Sequence, residues 1–355
     1  MSIFRLTPAC KDYIWGGTAL IEKYGKQTNI TPCAESWELS LHPDGQTRVG
    51  DRMLAELLTP EILGENASSF DRFPMLVKLI DAKQNLSVQV HPSDDYALKY
   101  EGSFGKTEMW YIVEANDSAG IYLGFSKEVT KDEVKRAIET NTLCDLLQFY
   151  PVKAGECYFI PAGTVHAIGA GCLIFEIQQN SNLTYRVYDF GRVGHDGRPR
   201  ELHVDRALDV MSLVPYRKRA MPKNLLGISK YFTVRKLTVQ GELPIHIDKS
   251  SFKGLTIVDG EGMIGGISVS RGDSFFIGAD ENDILLSGNM IVLTYELRRY
   301  TLKVEDYACG SKASLFDDIG TFILSVTSEN SKDAQKKLLD ALYLNYTDVN
   351  CLTNQ

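Results

Sequence analysis

The stretch NLSVQVHPSDD, Asn85 to Asp95, sets Ser87, Gln89 and His91 at alternate positions with Val88 and Val90 between them. Side chains in a strand point alternately to opposite faces, so the three polar groups share one surface, the valines face a packed side, and Pro92 stops the pairing. A hydroxyl, a carboxamide and an imidazole in a row are a set of ligand-capable groups. Taken alone they read first as an ordinary half-buried strand whose polar face is solvated.

Downstream, His166 lies in GECYFIPAGTVHAIG, a Gly-x5-Pro-x-Gly-x2-His string. Gly155 and Gly163 permit tight turns, Pro161 ends one strand, and the reversal delivers His166 to the start of the next. The spacing resembles the second conserved motif of the cupin superfamily, whose small β-barrels hold a metal in their mouth. Ala170 stands where that motif often closes on Asn. The motif implies a barrel and a metal and leaves the reaction open. With it the polar row gains partners. Gln89, His91 and His166 offer a carbonyl oxygen and two imidazoles, and Glu108 in GKTEMWYIV offers a carboxylate, with Lys106 two residues earlier on the same side. A catalytic zinc takes three or four nitrogen and oxygen ligands and keeps one position open. A set without thiolates favours such a divalent ion over a cluster, with iron and manganese as alternatives.

Short strands separated by Gly, Pro and Asn/Asp turns must position these groups: PMLVKLI, LSVQVHP, EMWYIVEA, GIYLGF, ECYFIPA, CLIFEIQQN and TYRVYDF, then FTVRKLTV, GLTIVDG, GMIGGISV, SFFIGA and MIVLTYEL. Strands at this close spacing indicate an all-β dominated fold of antiparallel sandwiches or barrels. Helical patterns are few. TKDEVKRAIETNTLCDLLQFY carries Val134, Ile138 and Leu146 to Leu147 at helical spacing, with Thr130 and Glu133 forming a capping-box pattern, and HVDRALDVM and SKDAQKKLLDALYLNY are the others.

AGECYFIPAGTVHAI, from Ala154, overlays RGDSFFIGADENDIL, from Arg271, without a gap. Two related barrels follow, and because His166 meets Asp283, whatever His166 does is done once. The expected organisation is a catalytic barrel over 1–214 with a helical segment at about 128–149, a second, metal-free barrel over 225–299, and an extension over 300–355. That extension holds a strand, TFILSV, and a helix carrying Leu338, Leu339 and Leu342.

Of the 355 residues 44% are hydrophobic and 24% charged, which is the composition of a folded protein rather than a disordered one. No run approaches the ~18 apolar residues a membrane span needs. The formal net charge of -8 argues against a nucleic-acid partner and leaves an anionic small molecule, provided that Arg or Lys side chains gather locally. Seven cysteines without close pairs point to reduced thiols and a cytoplasmic protein.

FPMLVKLIDAKQNLSVQVHPSDDYA, GKTEMWYIVEA, VKAGECYFIPAGTVHAIGAG and EIQQNSNLTYRVYDFGR, with DYIWGG and ESWELS nearer the start, strongly resemble type I mannose-6-phosphate isomerase in its short bacterial form. The resemblance runs from about Asp12 to Glu296. It implies two cupin, jelly-roll domains with a helical insertion, one zinc per chain on Gln89, His91, Glu108 and His166, and an essential arginine at Arg186. It also implies a sugar-phosphate substrate handled by a monomer or homodimer. Interconverting mannose 6-phosphate and fructose 6-phosphate moves a proton between C2 and C1 through an enediol. Such a site needs a base, an electrophile for the oxyanion and a phosphate clamp. Arg186 offers a planar fork, Lys106 a mobile charge, and Ser87 a hydroxyl for the phosphate. Asn182 replaces an acid that many relatives carry, and an amide is no base. The rival readings are a sugar-phosphate-binding cupin without catalysis and a cupin oxygenase.

Other residues read as structural: His42 in a turn, His195 in a loop, His203 at a helix start, His246 in the second barrel, Trp15 and Trp37 as anchors, and Lys78 with Asp81 as a pair.

Overall fold

Runs rich in β-branched and aromatic residues make strands here, several of them, such as Met75–Ala82 and Cys172–Gln179, buried along their whole length. In the computed structural model, which describes residues 2–193 and 197–353, the strands form two units, one of Thr7–Arg48 and Met75–Lys218, the other of Met1–Leu6, Val49–Pro74 and Arg219–Gln355.

The first unit has two antiparallel sheets. One runs in the order Cys157–Ile160, Glu108–Ala115, Cys172–Gln179, Met75–Ala82, Glu35–Leu39, Ala9–Lys11. The other runs Leu147–Pro151, Gly120–Phe125, His166–Ile168, Val88–Val90, Tyr185–Tyr188. Val88 and Val90 are fully buried in one apolar cluster with Val134, Leu143 and Val187, so the valine side of the opening strand is the packed one. The helix that covers it, Lys131–Glu139, begins with the reciprocal Thr130–Glu133 capping box. Helix continues only through Leu143–Leu146, and the LQFYP that follows is a strand paired with Gly120–Phe125. Gly163 has φ +87, and a Cβ there would sit 2.8 Å from the Val210 carbonyl, so the turn that delivers His166 needs a glycine.

The second unit contains one antiparallel sheet, whose order is Ile3–Arg5, Ser274–Ile277, Lys253–Ile264, Ile284–Glu296, Thr233–Ile245, Leu225–Ile228. Its internal register extends the sequence echo. Ile160 lies opposite Glu108, and its counterpart Ile277 lies opposite Lys253. Gln178 is the other neighbour of Glu108, and Glu296 the other neighbour of Lys253. Where the first barrel has a buried carboxylate, the second has an ammonium ion. Lys253 lies 2.5 Å from Glu296, which also meets Arg298 at 2.7 Å, and Arg298 meets Asp248 at 2.7 Å. Asp283, the counterpart of His166, bonds the exposed His246 at 2.7 Å.

Within the same unit, Tyr300–Tyr307, Gly310–Asp317 and Phe322–Ser328 form an antiparallel meander, and after the helix Ser331–Ala341 the strand Val349–Thr353 returns parallel to the first. Leu338, Leu339 and Leu342 pack on Leu302 and Leu315, together with Leu225 and Ile228. No described helix is long and apolar enough to cross a membrane.

Candidate metal centre

Three strands and one loop bring the expected groups together. On one sheet His166 pairs with Gln89 from one side and Arg186 pairs with it from the other, which puts all three on one face. Glu108 opens a strand of the other sheet, and His91 follows Val90 directly. The ligand atoms of His91, Glu108 and His166 lie within 4.8 Å of one another, all buried. His166 Nε2 is 3.3 Å from Glu108 Oε1, and His91 Nε2 is 3.5 Å from Glu108 Oε2.

The tautomers are set from behind. His91 Nδ1 donates to the Leu183 carbonyl at 3.0 Å, and His166 Nδ1 to the Thr164 carbonyl at 2.8 Å. Each Nε2 lone pair therefore faces the centre, as in metal sites whose ligands are oriented from the outer shell. Burial, then the Lys106 charge, pushes His166 down to about 4 and His91 well below the usual imidazole range. Burial also lifts Glu108 to about 7, against the opposing pull of Lys106. Neutral imidazoles are the form a metal binds. His166 Nε2 and Glu108 Oε1 are buried without a hydrogen bond, a costly arrangement that a cation would relieve. Lys106 fills part of that role, at 2.8 Å from Glu108 Oε2 and 3.1 Å from His91 Nε2.

A polar cavity of 280 Å³ adjoins the centre, close to the lower end of the range for small-molecule sites, about 300 Å³ upward. Ser87, Gln89, Lys106 and Arg186 line it, so two of the three polar groups of the opening strand, Ser87 and Gln89, face this space. Ser87 is buried. Arg186 Nη1 donates to the Glu201 carbonyl at 2.8 Å, while its Nε is buried without a partner. Burial and the neighbouring Arg200 lower its pKa.

Several wall residues went unnoticed as site groups. Glu35, Lys78 and Glu176 line the cavity, as do Trp15 and Arg200. Lys78 does not pair with Asp81: three positions apart on a strand, they face opposite ways. Lys78 meets Glu176 at 3.3 Å and Glu35 at 3.4 Å, and Asp81 accepts from the Ala19 amide. Burial opposes the charge of Lys78, but Glu35 and Glu176 outweigh it and raise its pKa. Trp37 and Trp110 donate indole hydrogen bonds to Glu35 and Glu176, at 2.7 and 2.8 Å. The available signal was a charge in the middle of each of two apolar strands, Lys78 in PMLVKLIDA and Glu176 in CLIFEIQQ, because such charges are stable only when paired. His42 sits in a turn and His203 precedes the helix Val204–Val210, while His195 lies outside the described residues.

Fold and centre together define a two-barrel cupin protein with one buried His–Glu–His cluster among its described residues. The family model for the phosphomannose isomerase type I catalytic domain matches residues 3–123, and that for the mannose-6-phosphate isomerase cupin domain matches 223–295. A mannose-6-phosphate isomerase of Bacillus subtilis is 36% identical over 300 residues, 79% of this chain and 94% of the relative. One from Streptococcus mutans is 36% identical over 264 residues, 71% and 83% of the two chains. The crystal structure of the mannose 6-phosphate isomerase from Bacillus subtilis superposes with a TM-score of 0.76 at 33% identity, covering 83% of this chain and 99% of that one. The chain belongs to the type I mannose-6-phosphate isomerase family and is an aldose–ketose isomerase. The sheet and helix beyond Tyr300 lie outside both matched segments.

Proposed function

We propose that the chain interconverts mannose 6-phosphate and fructose 6-phosphate at a zinc site held by Gln89, His91, Glu108 and His166. The observation that carries this reading is the convergence of two neutral, outer-shell-oriented imidazoles on a buried carboxylate beside a cavity lined by cations. Zinc, when bound, supplies a Lewis acid for the sugar's carbonyl and hydroxyl oxygens. The chain's own residues do the rest. Arg186 and Ser87 hold the phosphate, and Arg200, fixed on Asp189 by bonds of 2.7 and 2.5 Å, adds a second guanidinium to that wall. Lys106, 2.8 Å from Glu108, supplies positive charge where the enediolate oxygen develops. Trp15 and the buried Lys78–Glu176 pair form part of the wall against which the sugar ring packs.

The test is conversion of mannose 6-phosphate with and without a chelator, followed by restoration with zinc. Turnover that is lost and regained supports the reading. Metal bound without turnover would overturn it, binding alone would leave a sugar-phosphate-binding protein, and oxygen consumption would mark an oxygenase.

A further inference from the structure

Tyr13 and Trp15 line the cavity together, their rings stacked with centroids 5.4 Å apart and planes 21° from parallel. They are the first and third residues of a tight turn that is fastened from behind. The Gly16 amide donates to the Tyr13 carbonyl at 2.9 Å, the Gln84 amide donates to the Trp15 carbonyl at 3.0 Å, and Gly16 bridges to Ala82. A Cβ on Gly16 would overlap that of Ala34, so only glycine seats the turn this closely against the chain leading into Glu35.

The Tyr13 hydroxyl, by contrast, hydrogen-bonds no group among the described residues. Burial, then the charge of Glu35, pushes its pKa up to about 12, so it stays protonated and donates. Glu35 and Lys78 are the charges that act on it most, and both line the cavity, which places the hydroxyl end of the ring at the cavity wall. A half-buried phenol usually has a hydrogen-bond partner, and one held rigidly without it is set to meet that partner on a ligand.

We propose that Tyr13 is a specificity-determining residue, whose hydroxyl donates a hydrogen bond to one of the sugar hydroxyls on C3 to C5 while the stack on Trp15 holds the phenol in position. The proposal rests on the isomerase reading, in which zinc takes the oxygens on C1 and C2 and Arg186 and Ser87 take the phosphate on C6. The hydroxyls left for this wall are those between. A site that hydrogen-bonds a substrate hydroxyl rejects the analogue lacking it, because its own polar group is then left unpaired. Tyr13 makes and breaks no bond of the substrate, so it acts on binding rather than on turnover.

The experiment compares wild type and Tyr13→Phe as the zinc-loaded full chain, using fructose 6-phosphate and its 3-, 4- and 5-deoxy derivatives, with Kd read by calorimetry and kcat measured separately. Tyr13→Phe keeps the ring and its stack and removes one hydroxyl, so zinc content and melting temperature should match wild type. It is expected to raise the Kd for fructose 6-phosphate about 5- to 50-fold and to leave kcat within ~3-fold. For one of the three deoxy sugars, the Kd values of wild type and variant should agree within ~2-fold, which closes a cycle between the phenol and that hydroxyl. Wild type without turnover would overturn the isomerase reading and the inference with it. Wild-type turnover with the Kd of Tyr13→Phe for fructose 6-phosphate within ~2-fold of wild type would overturn the inference alone. So would an equal weakening on all three deoxy sugars, because the phenol would then act on the fold of the wall and not on a sugar hydroxyl.

Discussion

His166 Nε2 and Glu108 Oε1 stand 3.3 Å apart, both fully buried, and no hydrogen bond joins them. A chain folds around such a gap when a cation fills it. Chelation is therefore expected to abolish turnover and lower the melting temperature, since a ligand at a thousand times its Kd stabilises by about 4 kcal/mol. Glu108→Gln, which keeps the shape and removes the charge, should cut zinc content measured by atomic emission. Full activity in metal-free protein would refute this.

In the second barrel, burial would raise the Asp248 pKa, but hydrogen bonds from Arg298 and Ser250 outweigh it and hold it at about 2. The folded value lies below the unfolded one, about 3.9, so the pair's stabilisation is present above pH ~4 and is lost as pH falls towards 2. Discounted for partial exposure it is about 1 kcal/mol. Asp248→Asn should remove this part of the acid dependence in melts between pH 2 and 5. An unchanged slope would show that Asp248 does not contribute.

Ser87→Ala should weaken sugar-phosphate binding about 2- to 10-fold while zinc content stays at the wild-type level, because one hydrogen bond is lost and no ligand is touched. Calorimetry with fructose 6-phosphate and with unphosphorylated fructose separates the cases. Equal weakening of both would place the hydroxyl on the sugar instead of the phosphate.

Arg186→Lys keeps the charge and removes the planar fork, so kcat/KM should fall by about two orders of magnitude. Arg200→Lys, one step further along the same wall, should cost less and act mainly on KM. The two substitutions should not add, because Arg200 lowers the Arg186 pKa. Strict additivity in the double variant would show that the guanidinium groups act separately.

Leu338 is fully buried against Leu302 and Leu315, so Leu338→Ala should cost about 2–5 kcal/mol of stability. Thermal melts with and without zinc check this. A melting temperature equal to wild type would mean that the helix Ser331–Ala341 does not pack as described.

Local rules reach far in this chain. Period-two alternation alone puts Ser87, Gln89 and His91 on one face and buries Val88 and Val90. The Thr130–Glu133 capping box starts a helix at the residue where the pattern begins. The glycine and proline spacing around His166 describes a strand, a turn and a strand. Each of these depends on dihedral preferences and side-chain direction within a few residues, and a sequence states those directly.

Which strands become neighbours is a different quantity. The Lys78 ammonium is balanced by Glu35 and Glu176 instead of Asp81 because the ladder sets Glu176 directly opposite it. Ile3–Arg5 joins the second barrel by pairing with Ser274–Ile277, a contact that no local pattern announces. Asp44 reaches Asn182 in the same way. Register across distant strands is decided by burial summed over the whole core. The polar face of the opening strand was therefore legible in the sequence, and the charges that surround it were settled only by the tertiary structure.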